Sequence, residues 1–549
     1  MKPQIYVKKT ILQTLHRLGY TDFALDDLVL EKPKQEEFGD FAITIAMNLA
    51  KIARKAPRQI AQDIVNELEL DPNVISKVEI AGPGFINFFL ANPALQNIVE
   101  TILQEGQDWG KGDEKSGNVL FEFVSANPTG PLNIVSARAA AIGDVLASLF
   151  TAVGYHASRE FYVNDAGRQI KLLGESLSAR YMSALGYDRK VPEEGYHGQY
   201  LVDFAREIIE DRGAEFVDMA EQERAVLFSQ MALDHMISRQ KASLQKYNLQ
   251  FDRWYHESEL RTLDAHTNIL QVLSEKQLVY EKEGAVWFKS SEFGDEKDRV
   301  LITSQGEPTY FMIDIAYHQT KYNRGFEKNY DLWGPDHHGY INRMSAAMIA
   351  LGHPADSFQV EIIQQVNLFR GGEVVKMSKR AGEIIEMDEL IEEVGVDAAR
   401  YFFLDRRISQ PLDFDIDLAK KQSDENPVYY VQYAHARICN IIRYAEEQGV
   451  RVEPASDLSP LQHPSEMALI KKLLDYPDII AKAAESIEPH RIPNYLHELA
   501  TAFHRFYHDN RVVSEDRDLT QARLKLCQAA RQVLQNGLAL LRISAPKTM

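Results

Sequence analysis

Residues 119–138 read Val119-Leu120-Phe121-Glu122-Phe123-Val124-Ser125-Ala126-Asn127-Pro128-Thr129-Gly130-Pro131-Leu132-Asn133-Ile134-Val135-Ser136-Ala137-Arg138. The apolar and aromatic run that opens the stretch predicts a strand. Pro128 to Pro131, with Gly130 between them, predicts a turn. From Ser136 to Val153 apolar residues recur at helical spacing. Working outward, Arg159 to Val163 reads as a second strand, and a helix opens near Ala166. Strand, turn, helix and strand in this order predict a βαβ unit in a parallel sheet. A helix that opens straight after such a turn points backbone N–H groups at an anion, and nucleotide phosphate is the natural ligand. An ordinary strand-to-helix turn has the same shape.

Alternation resumes downstream with Leu301-Ile302, a helix from Tyr310, a strand near Asp331-Leu332-Trp333, a helix after His338 and a strand over 361–368. Between the two blocks, residues 190–285 carry long helical patterns and read as an insertion. Ahead of them lies a small α+β unit. It has helical patterning in its first twenty residues and over 41–68, strands at 78–80 and 85–90 around Gly82-Pro83-Gly84, and a polar linker over 106–117. Behind them, helices at 429–447, 467–475, 489–507 and 519–541 form a bundle. The expected division is 1–110, 111–410 and 411–549, with the insertion at about 190–285.

A chain of 549 residues is too long for one core. Apolar content of 45% and charged content of 26% are those of an ordinary soluble protein. No run of 18 apolar residues offers a membrane span, and the N-terminus lacks a signal-peptide stretch, so the expected address is the cytoplasm. Cys439 and Cys527, far apart in sequence, make neither a disulfide framework nor a metal-ligand set. A net charge of −19 excludes indiscriminate nucleic-acid binding over the whole surface. Basic strips remain at Lys51-Ile52-Ala53-Arg54-Lys55 and from Arg437 to Arg443.

A second segment, Gly371-Gly372-Glu373-Val374-Val375-Lys376-Met377-Ser378-Lys379-Arg380, joins a glycine pair to three cations suited to a triphosphate. Residues 376–380 match the KMSKS-type signature of class I aminoacyl-tRNA synthetases, and residues 128–136 stand where that class has its HIGH signature. With Tyr162-Val163-Asn164-Asp165-Ala166-Gly167, Trp333-Gly334-Pro335-Asp336-His337-His338-Gly339-Tyr340, Asn426-Pro427-Val428-Tyr429-Tyr430-Val431-Gln432-Tyr433-Ala434-His435-Ala436-Arg437 and the closing residues 544–549, the chain resembles arginyl-tRNA synthetases from end to end.

The resemblance implies an α/β fold: a Rossmann-type parallel-sheet catalytic domain, an α+β N-terminal domain against the tRNA elbow, and an all-α anticodon-binding bundle. It implies activation of L-arginine with ATP and Mg²⁺, transfer to tRNA(Arg), dependence of activation on tRNA, and a monomer. Arginine-binding positions carry over to Glu122, Ser125, Asn127, Tyr310 and Asp314. Of these, Tyr310 and Asp314 are spaced to share one helix face, and carboxylates suit a guanidinium fork. ATP-binding positions carry over to Pro128, Thr129, Gly130, Pro131, Leu132, Asn133, Ile134, Val135 and Ser136, to Asp336, His337, His338 and Gly339, and to Lys376, Met377, Ser378, Lys379 and Arg380. Lys376 and Lys379 are expected to meet the phosphate charge, with Asn133 and Ser136 as further catalytic donors. Adjacent histidines at 337 and 338 also suggest a metal, but no carboxylate or cysteine stands at a helpful spacing, and none is expected.

The chain departs from the family at Asn133-Ile134-Val135-Ser136, where two histidines and a glycine are usual. Asn133 and Ser136 offer neutral donors only, and Asn133 is equally suited to capping the helix. The alternative function is a tRNA-binding paralogue with weakened catalysis. A second rival is another class I synthetase such as the cysteine enzyme, whose zinc site two separated cysteines do not furnish. On the anticodon side Tyr429, Tyr433 and Arg437 are expected to meet tRNA, with about half of Tyr429, Tyr430, Gln432, Tyr433, His435 and Arg437 serving the bundle core.

Overall fold

A computed structural model describes residues 2–33, 35–262, 265–375, 385–454 and 456–549. The quoted strand is β1 (Asn118–Glu122), and it lies at the centre of a five-stranded sheet. Around it stand β2 (His156–Val163), β3 (Arg253–His256), β4 (Phe326–Trp333) and β5 (Phe358–Ile362), in the order β5-β4-β1-β2-β3, every pair parallel. Val119, Leu120 and Phe121 are all buried, as a strand covered on both faces requires. The order reverses between β1 and β4, so their carboxyl ends frame a crevice at a topological switch point.

Helix α1 (Ile134–Ala152) follows β1 and is the apolar centre of the molecule. By length and composition it passes a membrane-span test, with mean hydropathy 1.5, yet 78% of that window is buried inside the protein. Gly143 is needed there, because a Cβ would come within 2.2 Å of the Phe123 ring. Asp144, 1% exposed, ties α1 to two other parts of the chain. It accepts from Arg159 Nε of β2 at 2.8 Å and from Arg400 Nη2 at 2.6 Å. Arg400, itself fully buried, also donates to the carbonyls of Leu541 and Tyr247. One ion group thus joins the parallel sheet, the helix Val396–Leu404 and the end of the C-terminal bundle.

Several elements differ from the expectation. The helical run expected over 190–285 is interrupted after Glu221–Lys246 by β3, an edge strand of the main sheet, before the helices Glu257–Thr262 and Ala265–Glu275. Leu301-Ile302 belongs to a separate antiparallel sheet of Val279–Lys282, Ala285–Phe288 and Arg299–Ile302. The strand read over 361–368 is two strands: β5, and Val366–Arg370, which pairs with Glu373–Val374 and Leu412–Asp415. The N-terminal helical run begins instead with a buried strand, Phe41–Ile43, because Phe41, Ala42 and Ile43 pair with Phe88, Asn87 and Ile86 in a four-stranded antiparallel sheet. The C-terminal helices are Pro427–Glu447, Pro464–Glu485, Arg491–Asp509 and Arg517–Leu540.

Candidate active site

Just beyond β1 the backbone turns sharply. Val124 has φ 68° and Ser125 φ 38°, and Ser125 N–H donates to Phe123 O at 2.9 Å, closing a three-residue turn. A β-branched residue in that region is strained, and such strain collects at functional sites. The turn places Ser125 Oγ where it donates to Glu122 Oε1 at 2.9 Å and accepts from Tyr162 N–H at 3.1 Å. The Pro128-Thr129-Gly130 turn is held by its carbonyls from the insertion helices. Gln240 Nε2 donates to Asn127 O and Gly130 O at 3.2 and 2.9 Å, and Tyr200 OH donates to Thr129 O at 2.5 Å. Asn133 is the N-cap of α1: its Oδ1 accepts from Val135 N–H at 2.9 Å and from Ser136 N–H at 3.0 Å.

Parallel register sets Asp331 of β4, Glu122 of β1, Glu160 of β2 and Arg253 of β3 in one transverse row. Side chains in one row share a face of the sheet. Over that face runs helix α2 (Tyr310–Asn323), with Asp314, Tyr317, His318 and Lys321 at helical spacing. Lys321 Nζ sits 2.6 Å from Glu122 Oε2 and 2.7 Å from Asp331 Oδ1. Tyr317 OH lies 2.9 Å from Glu122 Oε2 and 2.8 Å from Glu160 Oε1. Both nitrogens of His318 face oxygens, Asp314 O and Asp331 Oδ2, each at 2.7 Å. Arg324 forks onto Glu160.

Three buried carboxylates thus meet Lys321, Arg324 and the His318 ring. Burial pushes Asp331 up, but Lys321 and His318 outweigh it and hold the carboxyl down at about 2. For Glu122 burial wins over the pull of Lys321, and the carboxyl stands above its ordinary value. Ligand atoms of Glu122, His318 and Asp331 lie within 4.8 Å of one another, as a metal site would need. The Lys321 ammonium already holds the cation position between the two carboxylates.

Asp314 is different. Its carboxylate receives Tyr340 OH at 2.6 Å, and no cation pairs with it among the described residues. Burial raises its pKa above the usual carboxylate range, and the hydrogen bond from Tyr340 offsets only part of that. One turn earlier on α2, Tyr310 is 83% exposed, so its ring is not core packing. An unpaired, part-buried carboxylate beside an uncovered aromatic ring, on the rim of the β1–β4 crevice, is a seat for an organic cation.

Comparison with known proteins identifies the domains of the chain. Residues 98–409 match the family model for the class I (R) tRNA synthetase catalytic domain, residues 6–90 the arginyl-tRNA synthetase N-terminal domain, and residues 431–549 the DALR anticodon-binding domain. The chain is 46% identical to arginine–tRNA ligase 1 of Halalkalibacterium halodurans over 531 residues, 96% of each protein. It is 46% identical over 548 residues to the arginine–tRNA ligase of Shouchella clausii, covering 100% of this chain and 98% of that one. The chain belongs to the arginyl-tRNA synthetase family. The fold agrees with the arginyl-tRNA synthetase of Thermus thermophilus at a TM-score of 0.78 over 99% of each chain, at 23% identity.

Within this arginyl-tRNA synthetase fold, Tyr162 and Tyr317 link Glu122 with Ser125, and Tyr340 holds Asp314, three tyrosines that residue-by-residue reading did not single out. Asn127 lies exposed on the turn above, and Asp336, His337, His338 and Gly339 form an exposed helical turn at the end of β4. The basic loop 376–380, expected to meet phosphate, lies outside the described residues. Sequence spacing offered one signal for the missed cation: Lys321 falls two turns beyond Asp314 on the same stripe.

On the synthetase's C-terminal bundle, Tyr429, Tyr433 and Arg437 form a half-exposed stripe along α3 (Pro427–Glu447). The two tyrosine rings stack at 6.0 Å, and the Arg437 guanidinium lies 4.5 Å over Tyr433 and 5.2 Å over Tyr507. Tyr433 and Arg437 edge a cavity of about 950 Å³ with Tyr444 and His504. Gln432 and His435 turn inward to Ser544 and Pro546, and Tyr430 packs on His497 and His504.

Proposed function

We propose that this chain ligates L-arginine to tRNA(Arg) through arginyl-adenylate, in the cytoplasm and as a monomer. The observation that carries the reading is the carboxylate of Asp314, without a cation among the described residues, next to an acid row that Lys321 and Arg324 pair. Glu122, Ser125, Asn127 and Tyr310 complete the arginine pocket. The arginine carboxylate attacks the α-phosphorus of ATP and diphosphate leaves. The terminal adenosine's ribose hydroxyl then takes the arginyl group and AMP leaves. No protein nucleophile is needed, so the residues act by positioning and by meeting phosphate charge. The 128–136 turn and residues 336–339 hold ATP, whose Mg²⁺ comes with it, and Lys376 and Lys379, with Met377, Ser378 and Arg380, meet the phosphate charge. Tyr429, Tyr433 and Arg437 meet splayed anticodon bases. The relatives described above are named as ligases and synthetases, which gives no support to a tRNA-binding paralogue.

Diphosphate exchange tests this reading. Exchange with arginine and tRNA(Arg) is expected, and little without tRNA. Lysine and citrulline should fall roughly 10³-fold or more in kcat/KM, because each leaves a buried polar group poorly paired. Equal exchange with either would overturn the pocket.

The cap geometry supports a structural role for Asn133. Its Oδ1 takes the very N–H groups a phosphate would use. Asn133→Ala should therefore lose about 1 kcal/mol of stability and keep single-turnover adenylate formation within about threefold, less than one neutral hydrogen bond to a charged group. A tenfold slower step at an unchanged melting temperature would put the amide on ATP instead.

A further inference from the structure

We propose that Lys321 is a positioning residue for amino-acid recognition: an internal ammonium that keeps Glu122 ionised and fixed, so that the pocket presents one unfilled negative site, at Asp314. The inference rests on the arginine pocket proposed above and names a residue that does not touch the substrate.

The geometry supports it from every side. Glu122 is faced by Asp331 from β4 and Glu160 from β2, both buried and both negative. From α2 it is faced by Tyr317, His318 and Lys321, from its own loop by Ser125, and from β2 also by Tyr162. His318 is committed to Asp331, and Arg324 to Glu160. Lys321 is therefore the cation in direct contact with Glu122 among the described residues, at 2.6 Å and fully buried. Burial already pushes the Glu122 carboxyl upward against the pull of Lys321. Without that ammonium, a carboxylate between two other carboxylates takes up a proton near neutral pH. A neutral Glu122 no longer attracts a guanidinium, and Ser125, which it holds, loses its acceptor.

Lys321→Met removes the charge and keeps the chain length. Calorimetric titration of L-arginine into the full-length protein is expected to show a dissociation constant about 30-fold weaker at pH 7, recovering toward wild type as the pH rises to about 9 and Glu122 ionises. Wild type over the same window is expected to be flat. Lys321→Arg, which keeps the charge, should show the wild-type pH profile. Because Lys321 acts through Glu122, Glu122→Gln/Lys321→Met should bind arginine within about twofold of Glu122→Gln alone. This double variant removes cation and anion together, so it serves as the test if Lys321→Met does not fold.

Wild-type affinity and a flat profile in Lys321→Met overturn the proposal. So does a pH-dependent profile in Lys321→Arg, or additive losses in the double variant. Asp314→Asn separates the two readings. If it loses arginine while Lys321→Met keeps it, the pocket stands and this inference falls. If Asp314→Asn binds arginine like wild type, the pocket is misplaced and both fall.

Discussion

Asp314→Asn is expected to leave the ligand-free protein as stable as wild type or more so, and to abolish its response to arginine. Burial raises the Asp314 carboxyl in the folded chain, with only a neutral hydroxyl as partner. A carboxyl whose folded pKa lies above its unfolded value binds its proton more tightly in the folded state. It therefore favours folding at low pH, and that contribution is lost as pH rises from the ordinary carboxylate value through the raised one. At neutral pH the ionised group is a cost, and asparagine removes it while keeping the shape. The melting temperature without ligand should be unchanged or higher by roughly 1–3 °C. Arginine reverses the sign for wild type, because the guanidinium pairs the charge. Losing one partner of such a pair takes roughly 2–4 kcal/mol from transition-state binding, about 30- to 1000-fold in kcat/KM. The same protonation should raise the wild-type arginine KM as pH falls through the Asp314 window. Scanning both proteins with and without arginine checks this; a destabilised variant that still gains stability from arginine would remove Asp314 from the pocket.

Asp144→Ala has the largest expected effect on stability. Arg400 and Asp144 are both buried, at 2.6 Å, and Arg159 shares the carboxylate. Removing the acid leaves a guanidinium uncompensated in the interior, which takes about 3–5 kcal/mol. The calorimetric transition should fall by roughly 5–15 °C. Exchange activity should fall with it above the new melting temperature only, since Asp144 pairs with Arg159 on the opposite face of the sheet from the Glu122 row. A shift under about 2 °C would mean that Arg400 is held by the Leu541 and Tyr247 carbonyls alone.

Much of this architecture was legible in the chain. The parallel block around β1 and the C-terminal helices have clear periods, and the turn chemistry of Pro128 to Pro131 sits between them. Strand β3 was not legible, because Arg253-Trp254-Tyr255-His256 is a short edge strand with no alternation, embedded after a long helix. The antiparallel sheet over 279–302 was hidden for the same reason: its strands are four residues each. At the site, Glu122 and Asp314 came from resemblance, and the Asn133 cap from the preference of asparagine for that position. Lys321 carried no local mark. Its meaning depends on the register that sets Asp331 beside Glu122, from strands more than 200 positions apart in the chain.

The burial of α1 has a consequence for biosynthesis. This helix is made early with β1 and β2, while the other elements packed on it (Met387–Val394, Val396–Leu404 and the bundle helices Pro464–Glu485 and Arg517–Leu540) come from the last third of the chain. At about 5–20 residues per second, translation leaves roughly tens of seconds between the two. Throughout that interval the growing polypeptide displays a nineteen-residue apolar segment whose face away from β1 and β2 lacks its native cover, the kind of surface that holding chaperones bind and that seeds aggregation when they are scarce. A truncation that loses the terminal helix would prolong that exposure indefinitely, so its first phenotype should be poor yield rather than slow catalysis.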